Sequence, residues 1–177
     1  MEKTLSYKHG AKSYEIVATL LGYLPGQLRV LDLTYGVGRF YRLCRDKIDL
    51  LIAVDVTRHD WEVRPDIFLN VDAVTLIHRM LDGYYLPFSL IVVDPPWSKE
   101  KRGKASSQLG ISSMPYHVHA KPSETIINEA LALAEKRHVP LLYRYKQKLP
   151  CNHMVYARAE VKIIRNTGTI HYGICRG

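Results

Sequence analysis

Long apolar runs are missing from this 177-residue chain. No stretch of about 18 uninterrupted apolar residues occurs, so no helix is expected to span a membrane. The opening segment, "MEKTLSYKHGAKSYEI", has no apolar run behind its charges and does not read as a signal peptide. Cysteine is scarce: Cys44, Cys151 and Cys175 are an odd, widely spaced set without a CxxC pair. Neither a disulfide framework nor a zinc knuckle is expected, and a reducing, cytoplasmic setting is the expectation. Acidic residues are outnumbered, 17 against 25 Lys and Arg, for a net charge of +8. That balance points to a polyanionic partner, usually nucleic acid, with a solvated basic surface as the alternative reading. His117-Val118-His119 offers two imidazoles but no third ligand at a convincing spacing, so no metal is expected.

What is present is an ordinary globular composition, 47% apolar and 24% charged, with no repeats and no low-complexity tract. One domain covering 1–177 is expected. The chain alternates between helix and strand. Ile16, Val17, Leu20, Leu21 and Leu24 form a helical stripe stopped by Pro25-Gly26. "RVLDL" (29–33), "LLIAV" (50–54), "DIFLNV" (66–71), "SLIVV" (89–93) and "VPLLYRY" (139–145) read as five short buried strands. Helices are predicted through "RFYRLCRDK", over 73–81 and over 122–137, the last with Ile126, Ile127, Ala130, Leu131 and Ala134 on one face. "VYARAEVKII" and "TIHYGIC" alternate strictly around "RNTG", which is a hairpin signal. Continuous apolar strands separated by helices imply a parallel sheet covered on both faces. The expectation is therefore an α/β, Rossmann-like fold: seven strands, mostly parallel, a C-terminal antiparallel hairpin, and helices on both faces.

The first four strands each end in or near an aspartate: Asp32, Asp55, Asp72 and Asp94. Ligands of open parallel sheets sit outside the carboxyl ends of the strands, so the four carboxylates should share one rim. Any one of them could simply be a turn residue or helix cap; four in succession suggest a site. The loop after the first strand, "DLTYGVGRF", has Gly36 and Gly38 for a tight turn, but Tyr41 stands where GxGxxG would need its third glycine. This suits a ligand without a pyrophosphate. Asp55 is placed to accept from ribose hydroxyls and Asp72 from an adenine amine. An adenosine carrying an amino-acid tail, S-adenosylmethionine, meets these demands together.

The fourth strand runs into Asp94-Pro95-Pro96-Trp97. This tetrapeptide resembles the (D/N/S)-P-P-(Y/F/W) signature of class I amino-methyltransferases, and Asp-Pro-Pro-Trp is the form typical of N6-adenine nucleic-acid enzymes. The resemblance covers roughly the first hundred residues in pattern and the remainder only in rhythm. It implies S-adenosylmethionine as cofactor, held by Asp32, Thr34, Tyr35, Gly36, Gly38, Asp55 and Asp72. More loosely, "KHGAKSYEIV" (8–17), with Lys12, resembles the segment contacting the methionine tail. It implies catalysis by Asp94, Pro95, Pro96 and Trp97. An exocyclic base amine is a weak nucleophile because its lone pair is delocalised. Two acceptors aimed at its N–H groups free that pair, and the prolines make the turn stiff and rich in acceptors. An indole offers an extruded base a stacking face.

A basic loop follows, at about 98–121, and Lys99, Lys101, Arg102 and Lys104 are candidates for phosphate contact. Arg144, Lys146 and Lys148 could extend it. A lone Cys151 after the fifth strand resembles only faintly the nucleophile of cytosine-C5 enzymes. Little chain remains for target recognition, which leaves room for a partner subunit. DNA and RNA both stay open, as do cytosine N4 or protein glutamine as acceptor, and a non-catalytic nucleic-acid-binding subunit.

Overall fold

The computed structural model describes residues 3–95, 123–163 and 166–177. Eight strands form one sheet: β1 (Lys3–Tyr7), β2 (Leu28–Asp32), β3 (Ile48–Asp55), β4 (Ile67–Asn70), β5 (Leu90–Val93), β6 (Leu141–Tyr145), β7 (His153–Ile163) and β8 (Asn166–Cys175). Their order is β1-β7-β8-β6-β5-β2-β3-β4. All pairings are parallel except those of β8 with β6 and β7. The α/β class, the parallel core and the terminal hairpin are as expected from the sequence.

The middle strands are buried on both faces. Leu90, Ile91, Val92 and Val93 are each 0% exposed, which explains why they read as an unbroken apolar run. Helix α1 (Ser13–Leu21) presses Ile16, Val17, Leu20 and Leu21 onto one face of the sheet. Helices α2 (Ala73–Leu81) and α3 (Ser123–Arg137) cover the other with Val74, Ile77, Met80, Ile127, Ala130 and Leu133. β2 is central. The chain steps outward from it through β3 to β4, then returns to lay β5 on its other side. The crevice between the carboxyl ends of β2 and β5 is thus the switch point at which such sheets bind ligands.

Three expectations are corrected. The sheet has eight strands rather than seven, because Lys3–Tyr7 adds to the edge beside β7 with Lys3 opposite Val155 and Tyr7 opposite Ala159. The helix expected through 39–47 is two short 3₁₀ turns, Arg39–Tyr41 and Arg45–Lys47. Cys44, at φ −142°, breaks the run. The break lets Tyr41 turn its hydroxyl to Asp32 while Arg45 reaches Asp66 at 2.7 and 2.8 Å. Finally, Cys151 and Cys175 form a disulfide, with Cα atoms 5.7 Å apart, where none was expected. The hairpin register creates it, placing Cys175 opposite His153, just past Cys151.

The link from β6 to β7 is also short. Parallel strands usually need a crossover of a dozen or more residues, most often a helix. Here seven residues, 146–152, suffice between Tyr145 and His153. They form a strap over the sheet: Leu149 is buried and its N–H donates to the Tyr143 hydroxyl at 3.3 Å, and Cys151 ties the lower end to β8. Among the described residues, no helix is long and apolar enough to cross a membrane.

Candidate active site

Asp32 ends β2 and is nearly sealed, at 3% exposure. Its Oδ1 accepts from the Thr34 N–H at 2.9 Å, and its Oδ2 from the Tyr41 hydroxyl at 2.6 Å. Burial pushes its carboxyl up to about 7. The Tyr41 and Thr34 hydrogen bonds oppose that rise, and the charges of Asp94 and Asp55 add to it. Tyr41 is itself fully buried, and burial together with Asp32 holds its phenol well above the usual range. It stacks on Tyr35 with ring centroids 5.7 Å apart.

Asp55 organises the same turn from the neighbouring strand. Its Oδ2 accepts from the Gly36 N–H at 3.0 Å and its Oδ1 from Thr57 N–H at 2.9 Å, while His59 Nε2 lies 3.7 Å from Oδ2. Gly36 and Gly38 both sit in the left-handed region, at φ 57° and 76°. Gly38 has a second reason to be glycine: a Cβ there would meet the Val63 carbonyl at 2.6 Å. That carbonyl accepts from the Tyr35 hydroxyl at 2.7 Å, closing the loop over its own ring. Tyr35 is therefore buried, its ring and hydroxyl packed against Gly38 in the turn.

Asp94 closes β5 and meets the β2 turn across the switch point. Its N–H donates to Thr34 Oγ1 at 2.6 Å, so one threonine joins the glycine turn to the carboxyl end of β5. Its Oδ2 accepts from Arg144 Nη1 at 2.9 Å, and the Asp94 side chain keeps 21% exposure. Arg144 Nε also donates to the Tyr172 hydroxyl at 3.1 Å. Burial works against the Arg144 charge, but Asp94 and Tyr172 outweigh it and hold the guanidinium above its ordinary range. Burial raises the Tyr172 phenol, and Arg144 and then Ser13, at the start of α1, oppose that rise. Lys12 is exposed and caps α1, its N–H donating to Glu15 Oε2 at 2.9 Å.

The structure thus gathers Asp32, Thr34, Tyr35, Gly36, Gly38, Asp55, Asp94 and Pro95 around the carboxyl ends of β2, β3 and β5. Lys12 is not brought to them by any contact among the described residues; its backbone bonds are with Glu15 and Ile16 in the first turn of α1. Asp72 has a helix-capping job: its Oδ1 accepts from Thr75 N and Oγ1 at 2.9 and 3.1 Å. Pro96, Trp97, Lys99, Lys101, Arg102 and Lys104 lie outside the described residues, as do His117 and His119. Arg144, which could extend the basic patch, faces Asp94. Tyr41 and Tyr172 are not site candidates in the sequence. Their only signal was a polar tip on residues that pattern as core, and a buried hydroxyl needs a partner. An open groove of about 580 Å³ runs along the outer β4 edge between Phe68 and Tyr84, and none of the candidate site residues line it.

No protein-family model matches the chain, and no curated protein matches its sequence. Solved structures do match its fold. The SAM-dependent methyltransferase of Agrobacterium tumefaciens superposes with a TM-score of 0.51 at 16% identity, over 92% of this chain and 60% of its own. Escherichia coli YhhF, provisionally classed as a methyltransferase, superposes with a TM-score of 0.50 at 13% identity, over 93% of this chain and 85% of its own. At these identities the likeness establishes the shared fold.

Proposed function

We propose that the chain is an S-adenosylmethionine-dependent methyltransferase whose acceptor is the exocyclic N6 amine of adenine in nucleic acid. The observation that carries this is the placement of Asp94. It stands at the switch point, joined to the glycine turn by Thr34 and followed by Pro95-Pro96-Trp97. Both matched folds named above bear methyltransferase names. The donor set also fits the cofactor. Asp32, Asp55 and Asp94 lie close enough that the latter two raise the Asp32 carboxyl. Such a rim repels phosphates and suits a ligand carrying a sulfonium and an ammonium.

When bound, the cofactor supplies an electrophilic methyl, whose carbon–sulfur bond breaks as the amine lone pair forms the new nitrogen–carbon bond. The chain supplies position and charge. Arg144 holds Asp94 Oδ2 and Thr34 fixes its backbone, so the carboxylate is oriented to accept an amine N–H and then the proton the nitrogen sheds. The Pro95 carbonyl is the second acceptor. Both are set before reaction, which is where most of the rate enhancement of such a step arises. Trp97 stacks the extruded base, a contact on the order of 1–3 kcal/mol. The net charge of +8 supports a nucleic-acid acceptor over a protein one.

The test is methyl transfer from labelled cofactor to DNA, tRNA and rRNA pools, followed by nucleoside mass analysis. N6-methyladenine is the expected product; N4-methylcytosine or labelled protein would move the assignment to another acceptor. Asp94→Ala should abolish transfer while calorimetry still detects cofactor binding. Absence of binding at millimolar cofactor would sink the enzyme reading altogether.

A further inference from the structure

Three features of the fold lie outside that mechanism: the Cys151–His153–Cys175 cluster, the β4 edge groove, and the sheet face under the 146–152 strap. The first is closed by its own disulfide, and nothing shows what would fill the second. The third carries an inference.

Side chains alternate between the two sheet faces along Val155–Ala159 and Ile170–Ile174. Val155, Ala157, Ala159, Ile170, Tyr172 and Ile174 face α1 and are buried. Tyr156, Arg158 and His171 therefore point to the opposite face, where the strap stands in place of a crossover helix. Arg158 pairs directly across from His171 in the hairpin ladder. Lys148, on the strap, sits 4.5 Å over the Tyr156 ring. Tyr156 in turn stacks on His171, centroids 5.9 Å apart, and its hydroxyl bonds His171 Nδ1. Three basic side chains thus converge on one spot. Their closeness shows in His171, whose imidazole is held below its ordinary range by burial first, then by the charges of Arg158 and Lys148. Arg158 Nε donates to a neutral partner, Ser6 Oγ, at 3.1 Å. Both Lys148 and Arg158 are exposed. Glu160 shares the face two residues on, and no ion pair joins it to Arg158 among the described residues.

The height of this spot matters. His171 lies opposite Tyr145, the last residue of β6, so the cluster stands at the same rim as Asp94. Lys146 extends it, over the Tyr145 ring at 5.6 Å and 4.0 Å from Glu124. Like charges are not brought together by packing alone, since their proximity costs stability. A polyanion of regular spacing removes that cost.

We infer that Lys148, Arg158 and His171 form a phosphate-contact site for the backbone of the nucleic-acid substrate, on the sheet face the missing crossover helix leaves open. The inference rests on the nucleic-acid reading above and deepens it. The backbone would pass over β7 and β8 and deliver its base toward the Asp94 turn. Contacts of this kind position a strand without reading its sequence, and they make binding steeply salt-dependent.

The test uses fluorescence anisotropy of a labelled RNA hairpin and of a DNA duplex, with wild-type protein and the Lys148→Ala/Arg158→Gln double variant, at 50 to 200 mM salt. The slope of log K against log salt should fall by about two for the variant, one for each phosphate it no longer neutralises. Affinity at low salt should drop about tenfold, with cofactor affinity unchanged and a melting temperature no lower than that of the wild type. Lys148→Arg/Arg158→Lys should keep the wild-type slope. The probe bound more tightly by the wild type is the one used for transfer assays. An unchanged slope in the double variant, or no binding of either probe by the wild type, overturns the site. Binding that follows these expectations without methyl transfer would leave the site standing and remove the catalytic reading.

Discussion

Asp32 should make the folded state less stable as pH rises through the weakly acidic range. Its carboxyl is raised from 3.8 to about 7 by burial. Between those values the folded chain holds a proton that the unfolded chain has released. Stability therefore falls as pH climbs from about 4 to about 7 and levels off above that. The difference of roughly 3 pH units corresponds to about 4 kcal/mol at most. Asp32→Asn keeps the shape and the acceptor for Thr34 N–H while deleting the titration. Urea unfolding of both proteins between pH 4.5 and 8 isolates the effect as the difference between the two curves. That difference should widen by several kcal/mol in favour of Asp32→Asn toward pH 7.5. A cation bound at the rim would lower the Asp32 value and expel the proton. Calorimetry at pH 6 should then register release of up to about 0.9 proton per S-adenosylmethionine bound, and less for the uncharged thioether analogue. Parallel pH–stability curves for the two proteins would refute the burial argument, and with it the account of the carboxylate rim.

Gly38→Ala should destabilise the chain by more than about 2 kcal/mol and abolish cofactor binding by calorimetry, since the left-handed φ and the Val63 carbonyl both oppose a Cβ. Arg144→Gln should slow methyl transfer about 10- to 100-fold with cofactor affinity kept within about threefold, because the guanidinium holds Asp94; equal losses in both would make it merely structural. Cys151→Ser, or reduction of the wild type, should lower stability by up to about 3.5 kcal/mol in urea, the chain-entropy value for a loop with a sequence separation of 24.

Much of the architecture is legible in the sequence because buried parallel strands leave continuous apolar runs and helices leave a stripe. Leu90–Val93 and Ile126–Ala134 show this directly. β1 was not legible. It is an edge strand, mostly exposed, and its sequence KTLSY has no run to betray it. Its pairing to β7 depends on a partner about 150 residues away. The four aspartates were legible as a rim, but not which of them the chain uses for itself. Asp72 caps a helix and Asp55 holds Gly36 N–H, contacts that depend on turn geometry. Arg144 read as surface charge because its partner, 50 residues earlier, becomes a neighbour only once β6 lies beside β5. The disulfide escaped notice for the same reason, since its cysteines meet only through the hairpin register.

That disulfide has one more consequence. Residues 151 to 175 form a covalent ring that contains β7 and β8 entire. A protease that cuts once inside the ring opens it without dividing the molecule. The two pieces stay linked until a reductant is added, and the ladder between them still holds β1 on one side and β6 on the other. This part of the fold can therefore be broken and remain in register, so a nicked preparation would run as one chain without reductant and as two with it.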